Sequence, residues 1–217
     1  MPSLALVEEE ITEHSINTGL HSLIQVSQTI LHQAIQVCNS LTSDDQLIYE
    51  SKSIPGSTIG KHLRHARDHF ELLIDALNSP PPCIFSYDAR VRNTPMETSI
   101  AAACQAFSST ISRLESLLLS CDEGVEKGKG FITVKGRRID IDEPMTLNAV
   151  TPTMQALQTS FGRELWFSGL HAVHHWSIIR AIASEMSYIK ILKNIKIDGS
   201  FGIAPSTILY REAKSKI

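Results

Sequence analysis

Gly60-Lys61-His62-Leu63-Arg64-His65-Ala66-Arg67-Asp68-His69-Phe70 and Leu170-His171-Ala172-Val173-His174-His175-Trp176 together hold six of the chain's nine histidines. Their reading decides the fold. Both windows carry apolar residues at helical spacing, so each predicts a helix. His171 and His175 lie one turn apart and can address one ion. Histidine is the commonest protein metal ligand at neutral pH. Two such helices facing each other would build a three-histidine site.

Helical placement at ~100° per residue sorts the first window. Lys61, Arg64, Arg67, Asp68, Glu71 and Asp75 share one arc, read as the solvent face, and Asp68 reads there as a surface charge. Ile59, Leu63, Ala66, Phe70, Leu73 and Leu77 share the opposite arc. His62, His65 and His69 fall on one border between the two, and the wheel does not choose among them. On the second helix His171 and His175 bracket an arc with Leu157, Glu164, Ile178 and Ile182, while His174 lies to one side. Buried polar groups without partners cost roughly 1–3 kcal/mol each, so these histidines need a shared metal or a mutual hydrogen-bond network. Their spacing is that of paired ligands on metalloprotease helices. The intervening Ala172, Val173 and His174 include no glutamate base, which argues against a metalloprotease. Glu164 reads as a salt-bridge or hydrogen-bond partner facing the bundle and as the nearby candidate general base.

Outward from these windows, four long helices are expected. The first runs from Ile16 to Leu41. The second begins at Ser57 or Thr58, either a suitable N-cap, and ends at Asn78 before Ser79-Pro80-Pro81-Pro82. The third starts at Thr94-Pro95-Met96-Glu97, with Pro at the first helical position, and extends to about Cys121. The last spans about Met154 to Met186. Phe131 to Ile141 alternates around a Lys135-Gly136 turn and predicts a β-hairpin, with Met145–Val150 a third short strand. From about residue 189 the tail shows little periodicity. The expected fold is all-α: a single four-helix bundle domain over residues 1–217 with a small β-hairpin insertion before the last helix.

The 217 residues are 42% apolar and 20% charged, enough for one globular core. A formal charge of −3 gives no footprint for nucleic acid or an anionic membrane. No apolar run reaches the ~20 residues of a membrane span, and Met1 to Glu10 lacks the pattern of a signal peptide. Cys38, Cys83, Cys104 and Cys121 show no C-x-x-C spacing, and Cys38 and Cys104 read as buried thiols. A cytoplasmic protein is expected, acting on a small molecule. Trp166 and Trp176 read as core or interface aromatics, and either one is a candidate for the interface of a homodimer.

Thr58-Ile59-Gly60-Lys61-His62-Leu63-Arg64-His65 and the His171-Ala172-Val173-His174-His175 segment resemble the DinB-like family of YfiT-type metal-dependent enzymes. The tail Phe201-Gly202-Ile203-Ala204-Pro205-Ser206-Thr207 is similar to endings seen in some members. The resemblance implies an up-down-down-up bundle and a ligand six residues after the apolar residue of the Ile-Gly start. That residue is His65, with His171 and His175 completing the set; His62 and His69 are the alternatives to His65. Many members carry Arg-Gly after the closing histidine, where this chain has Trp176-Ser177. The Lys135-Gly136 hairpin is also larger than a minimal member needs.

Three neutral imidazoles leave a divalent ion with open positions, the mark of a catalytic site. Zinc or nickel fits, with manganese a third option, and ligand type alone does not select among them. The resemblance implies a metal-dependent hydrolase or a thiol transferase. The alternative is a non-catalytic metal-binding or interaction module.

Overall fold

The computed structural model describes residues 19–119, 131–150, 152–188, 195 and 197–215. Four long helices form its frame: α1 (Leu20–Ser40), α3 (Ile59–Asn78), α4 (Ile100–Leu119) and α5 (Phe161–Tyr188), with a single-turn α2 (Asp45–Ile48) after the first. α1 packs on α4 and α5, and α3 packs on the same two. This square places the histidine faces of α3 and α5 side by side. Ile24, Leu31, Leu63, Phe70, Phe107, Leu114, Trp176 and Ile179 fill its centre.

The all-α expectation is corrected by the strands. β1 (Cys83–Phe85) runs parallel to β4 (Pro144–Val150), which pairs antiparallel with β5 (Met154–Ser160). β2 (Ile132–Val134) and β3 (Arg137–Ile139) form a separate hairpin. The molecule is therefore α+β: a helical frame with a mixed three-stranded sheet and a hairpin, not a pure four-helix bundle with one insertion. The last helix accordingly starts at Phe161, seven residues later than its sequence suggests. Met154-Gln155-Ala156-Leu157 is rich in helix formers, but full-register pairing from Pro144↔Ser160 to Val150↔Met154 holds it extended. Strand propensity is weak against such context.

Other boundaries follow local chemistry. Thr58 caps α3, its hydroxyl accepting from Lys61 N–H at 3.1 Å. The Ile59-Gly60 start has a steric cause, since a Cβ on Gly60 would stand 2.0 Å from the Glu97 carbonyl oxygen. Pro95–Glu97 is a 3₁₀ turn, not the first turn of the third helix, which begins at Ile100. Glu97 accepts from Thr94 N–H at 3.1 Å there. In the hairpin, Lys135 and Gly136 have φ of 49° and 77°, the signs of a type I′ turn. Lys135 Nζ donates to Asn78 O at 2.8 Å and Arg137 Nη2 to Leu77 O at 3.1 Å, so the hairpin brings two cations to the carboxyl end of α3.

The aperiodic tail also acquires structure. α6 (Pro205–Ser215) is helical, and before it Phe201 is buried with its ring stacked on Trp176 at 5.6 Å. Gly202 has φ +68°, and a Cβ there would meet Ser177 N at 2.6 Å. The Trp176-Ser177 pair is thus the floor on which the tail lies. Arg180 anchors it further, donating to the carbonyls of Phe201 at 2.7 Å and Gly199 at 3.0 Å. Residues 16–18 of the expected first helix, and Cys121, lie outside the described residues.

Candidate metal centre

α3 presents His62, His65 and His69 to α5, which presents His171 and His175. The Nε2 atoms of His65 and His171 stand 3.1 Å apart, and those of His171 and His175 stand 3.0 Å apart. One nitrogen from each of the three can be chosen so that no pair is more than 4.8 Å apart, a group that could hold a metal ion. Three nitrogens at ~2.0–2.1 Å from a tetrahedral ion lie about 3.3–3.4 Å from one another. Two edges of the triangle are near that value, and the third is no longer than 4.8 Å.

The other three histidines of the two windows stand outside this group. His69 Nδ1 donates to His65 O at 3.0 Å, one turn back along its own helix, and its ring lies 4.1 Å from His171 and 4.2 Å from Tyr87. His62 Nδ1 meets the Nδ1 of His175 at 2.7 Å, on the side of that ring away from the triangle. His174 is exposed. Of the three histidines that the helical wheel left open, His65 is the one whose nitrogen lies in this group.

Burial is the leading cause that lowers the affinity of these rings for protons. It brings His65 down to about 3, with His69 and Arg90 adding to the effect. His171 falls to about 4 and His175 to about 2, each by burial first and by facing imidazoles second. All three are thereby held neutral at pH 7, and a neutral imidazole keeps one lone pair that a cation can take.

Glu164 is buried and faces inward, but both its oxygens are taken. Tyr87 Oη donates to one at 2.9 Å and Thr159 Oγ1 to the other at 2.7 Å. The carboxylate ties β5 and the loop after β1 to α5. Tyr87 escaped sequence reading because its loop carries no periodicity, yet it stacks on His69 and holds Glu164. Phe167 is a second addition: its ring stacks on His171 at 5.6 Å. Phe167 also lines a cleft of about 700 Å³ with Leu147, Thr159, Arg163 and Glu164. The inserted sheet thus forms one wall of a hollow beside the histidines.

Several expected positions change. Leu157 lies on β5, not on the helical arc with His171. Arg64, expected in solvent, is buried and paired with Glu97 at 2.9 Å and Asp68 at 2.5 Å. Trp166 is exposed, but Trp176 is buried against Phe107 and Phe201 and is no interface residue. Cys38 is buried and Cys104 partly so, and both are free thiols. Among the described residues no helix is long and apolar enough to cross a membrane.

No family model matches this chain, and no solved structure matches it. The FK506-binding protein 5 of Rhizopus delemar is 29% identical to it over 198 residues, which is 89% of this chain. The chain spans 38% of that protein's length.

Proposed function

We propose that this chain is a metal-dependent enzyme in which His65, His171 and His175 hold one divalent ion, and that it transfers a small thiol to an electrophilic small molecule. What carries the reading is the grouping of three imidazoles whose ligand atoms lie within 4.8 Å of one another, with His171 Nε2 3.1 Å from that of His65 and 3.0 Å from that of His175. Zinc and nickel suit three imidazoles best, with manganese the weaker option. A bound divalent ion would supply Lewis acidity, lowering the pKa of a thiol or a water at its open position.

Thiol transfer is preferred to hydrolysis because of Glu164. A hydrolase gains from a free general base beside the reacting water, and the one buried carboxylate nearby already accepts from Tyr87 and Thr159. A thiolate needs no such base. Phe167 and the cleft it lines offer the second substrate an apolar wall with Arg163 at its edge. The Ile59-Gly60 start and the His171/His175 pair support kinship with the DinB-like family. The adjacent free thiols Cys38 and Cys104 support a reducing compartment, the cytoplasm. The name of the Rhizopus protein describes a chain of which this one spans 38%, and FK506 binding is not carried over.

The test is metal content by mass spectrometry, followed by conjugation of a small thiol with chlorodinitrobenzene. In that reaction a C–S bond forms, the C–Cl bond breaks, chloride leaves and the thiol proton passes to solvent. We expect near-stoichiometric zinc or nickel and metal-dependent turnover, both lost in His65→Ala and His171→Ala. A protein that refuses all three metals overturns the centre. Metal uptake with ester hydrolysis alone, or with no turnover, overturns thiol transfer in favour of a hydrolase or a non-catalytic metal-binding module.

A further inference from the structure

We propose that His62 is a positioning residue that fixes the tautomer of His175 and thereby frees its Nε2 for the ion; this rests on the metal centre proposed above. A neutral imidazole has one N–H and one lone pair. His175 points Nε2 at His171, 3.0 Å away, and Nδ1 at His62 Nδ1, 2.7 Å away. To offer a lone pair at Nε2, His175 must carry its proton on Nδ1. A contact of 2.7 Å then requires an acceptor, and the facing atom is His62 Nδ1. His62 must therefore hold its own proton on Nε2.

The second nitrogen of His62 is unpaired in either assignment. His62 Nε2 is buried and has no hydrogen-bond partner. In the opposite assignment His62 Nδ1 donates, His175 is protonated on Nε2, and His62 Nε2 becomes an unpaired buried acceptor. Donating to a partner with its second nitrogen is the usual way a metal-ligating histidine is oriented, and the partner is commonly a carboxylate or carbonyl. Here it is another imidazole. A carboxylate in this place would add a negative charge beside the ion, whereas His62 orients the ring and leaves the centre's charge unchanged. Reaching the opposite assignment takes a proton across the Nδ1 contact, loss of the proton on His62 Nε2 and uptake of one at His175 Nε2; an ion bound at His175 Nε2 would block that uptake and hold the first assignment.

The prediction is sharp because side chains can imitate one nitrogen at a time. In His62→Asn the amide oxygen occupies roughly the place of Nδ1 and can accept from His175. His62→Leu fills the space and accepts nothing. Titration calorimetry with zinc, and separately with nickel, should show His62→Leu binding about tenfold to a hundredfold more weakly, with His62→Asn close to the parent. Nitrogen-15 NMR of the zinc-loaded parent should show the His175 proton on Nδ1. Equal affinity of parent and His62→Leu, an equal loss in His62→Asn and His62→Leu, or a zinc-loaded His175 without its Nδ1 proton would each overturn the role of His62 while leaving the three-histidine centre standing. A parent that takes up no metal would overturn the centre itself, and the role of His62 with it.

Discussion

Helix α3 has two polar seams, and they are built on opposite plans. Toward α4 and the Pro95–Glu97 turn it offers charges, each met by its opposite. Arg113 pairs with Glu71 and with Asp75, Arg67 with Glu71, and Arg64 with Asp68 and Glu97. Thr110 donates to Glu71 at 2.5 Å and receives from Arg67 at 2.9 Å. Toward α5 the same helix offers imidazoles, and what meets them is more imidazoles. Their contacts at 2.7–3.1 Å leave His62 Nε2 without a hydrogen-bond partner and bring one nitrogen each from His65, His171 and His175 within 4.8 Å of one another. A seam that satisfies itself is architecture. A seam that gathers three imidazoles is a group that could hold a cation.

The largest effect expected is on the charged seam. Arg64 and Glu97 have side chains only 7% and 8% exposed, so Glu97→Ala leaves a buried guanidinium with Asp68 as its one remaining carboxylate among the described residues and removes an acceptor from the Pro95 turn. Breaking a buried pair this way costs about 3–5 kcal/mol. Urea denaturation of the metal-free protein should show that loss, while folded Glu97→Ala protein still takes up metal. Loss of metal without loss of stability would reverse the roles assigned to the two seams. Next comes the histidine seam under metal. An ion present at a hundred times its dissociation constant stabilises the folded state by about 2.7 kcal/mol. Zinc should therefore raise the unfolding midpoint of the parent and leave His171→Ala unmoved. A midpoint in His171→Ala that rises as much as the parent's would place the ion elsewhere.

The two seams were unequally legible in the sequence. The histidine seam announces itself because its residues are chemically rare, sit at i, i+4, and lie on the borders of apolar arcs. Thr58, the triple proline and the Lys135-Gly136 turn are equally local signals, and each works within four residues of chain. The charged seam was hidden: Arg64 and Arg67 share an arc with Lys61, and only the 3₁₀ turn some thirty residues on converts that arc into an interior. β1 and β5 were hidden for the same reason. Cys83-Ile84-Phe85 is too short to show a period, and Met154–Ser160 has helix-forming composition; both are strands because β4 lies between them. Sequence shows what a segment prefers alone, and here the sheet and the charged seam exist only through distant partners.

Acid sharpens the comparison. His65, His171 and His175 bind protons far less readily when folded, near 3, 4 and 2, than the ordinary 6.5. Between those values the unfolded chain holds more protons, so metal-free stability is fully present above about pH 6.5 and declines as pH falls toward 4. Urea midpoints at pH 7.5 and 5.5 measure it, as conditions chosen at about one unit either side of that value. Replacing His65 and His171 together by Gln should flatten the slope. A slope unchanged in that variant would assign the acid sensitivity to other groups.

The smallest effect expected is at the outer edge of the charged seam. Arg113 is 32% exposed and its partner Asp75 is 63% exposed, so solvent screens much of their attraction. Asp75→Ala should cost about 0.2–1 kcal/mol, shrinking further in high salt as the screening length shortens. Glu71, which holds Arg67, Arg113 and Thr110 at once, is the deeper member. A double-mutant cycle between Glu71 and Arg113, set beside one between Asp75 and Arg113, gives the gradient directly. The Glu71 coupling should be the larger, because its carboxylate is shared among three donors and its side chain is only 15% exposed. Equal couplings would mean that the seam behaves as separate surface pairs, and that the contrast with the histidines is one of residue type alone.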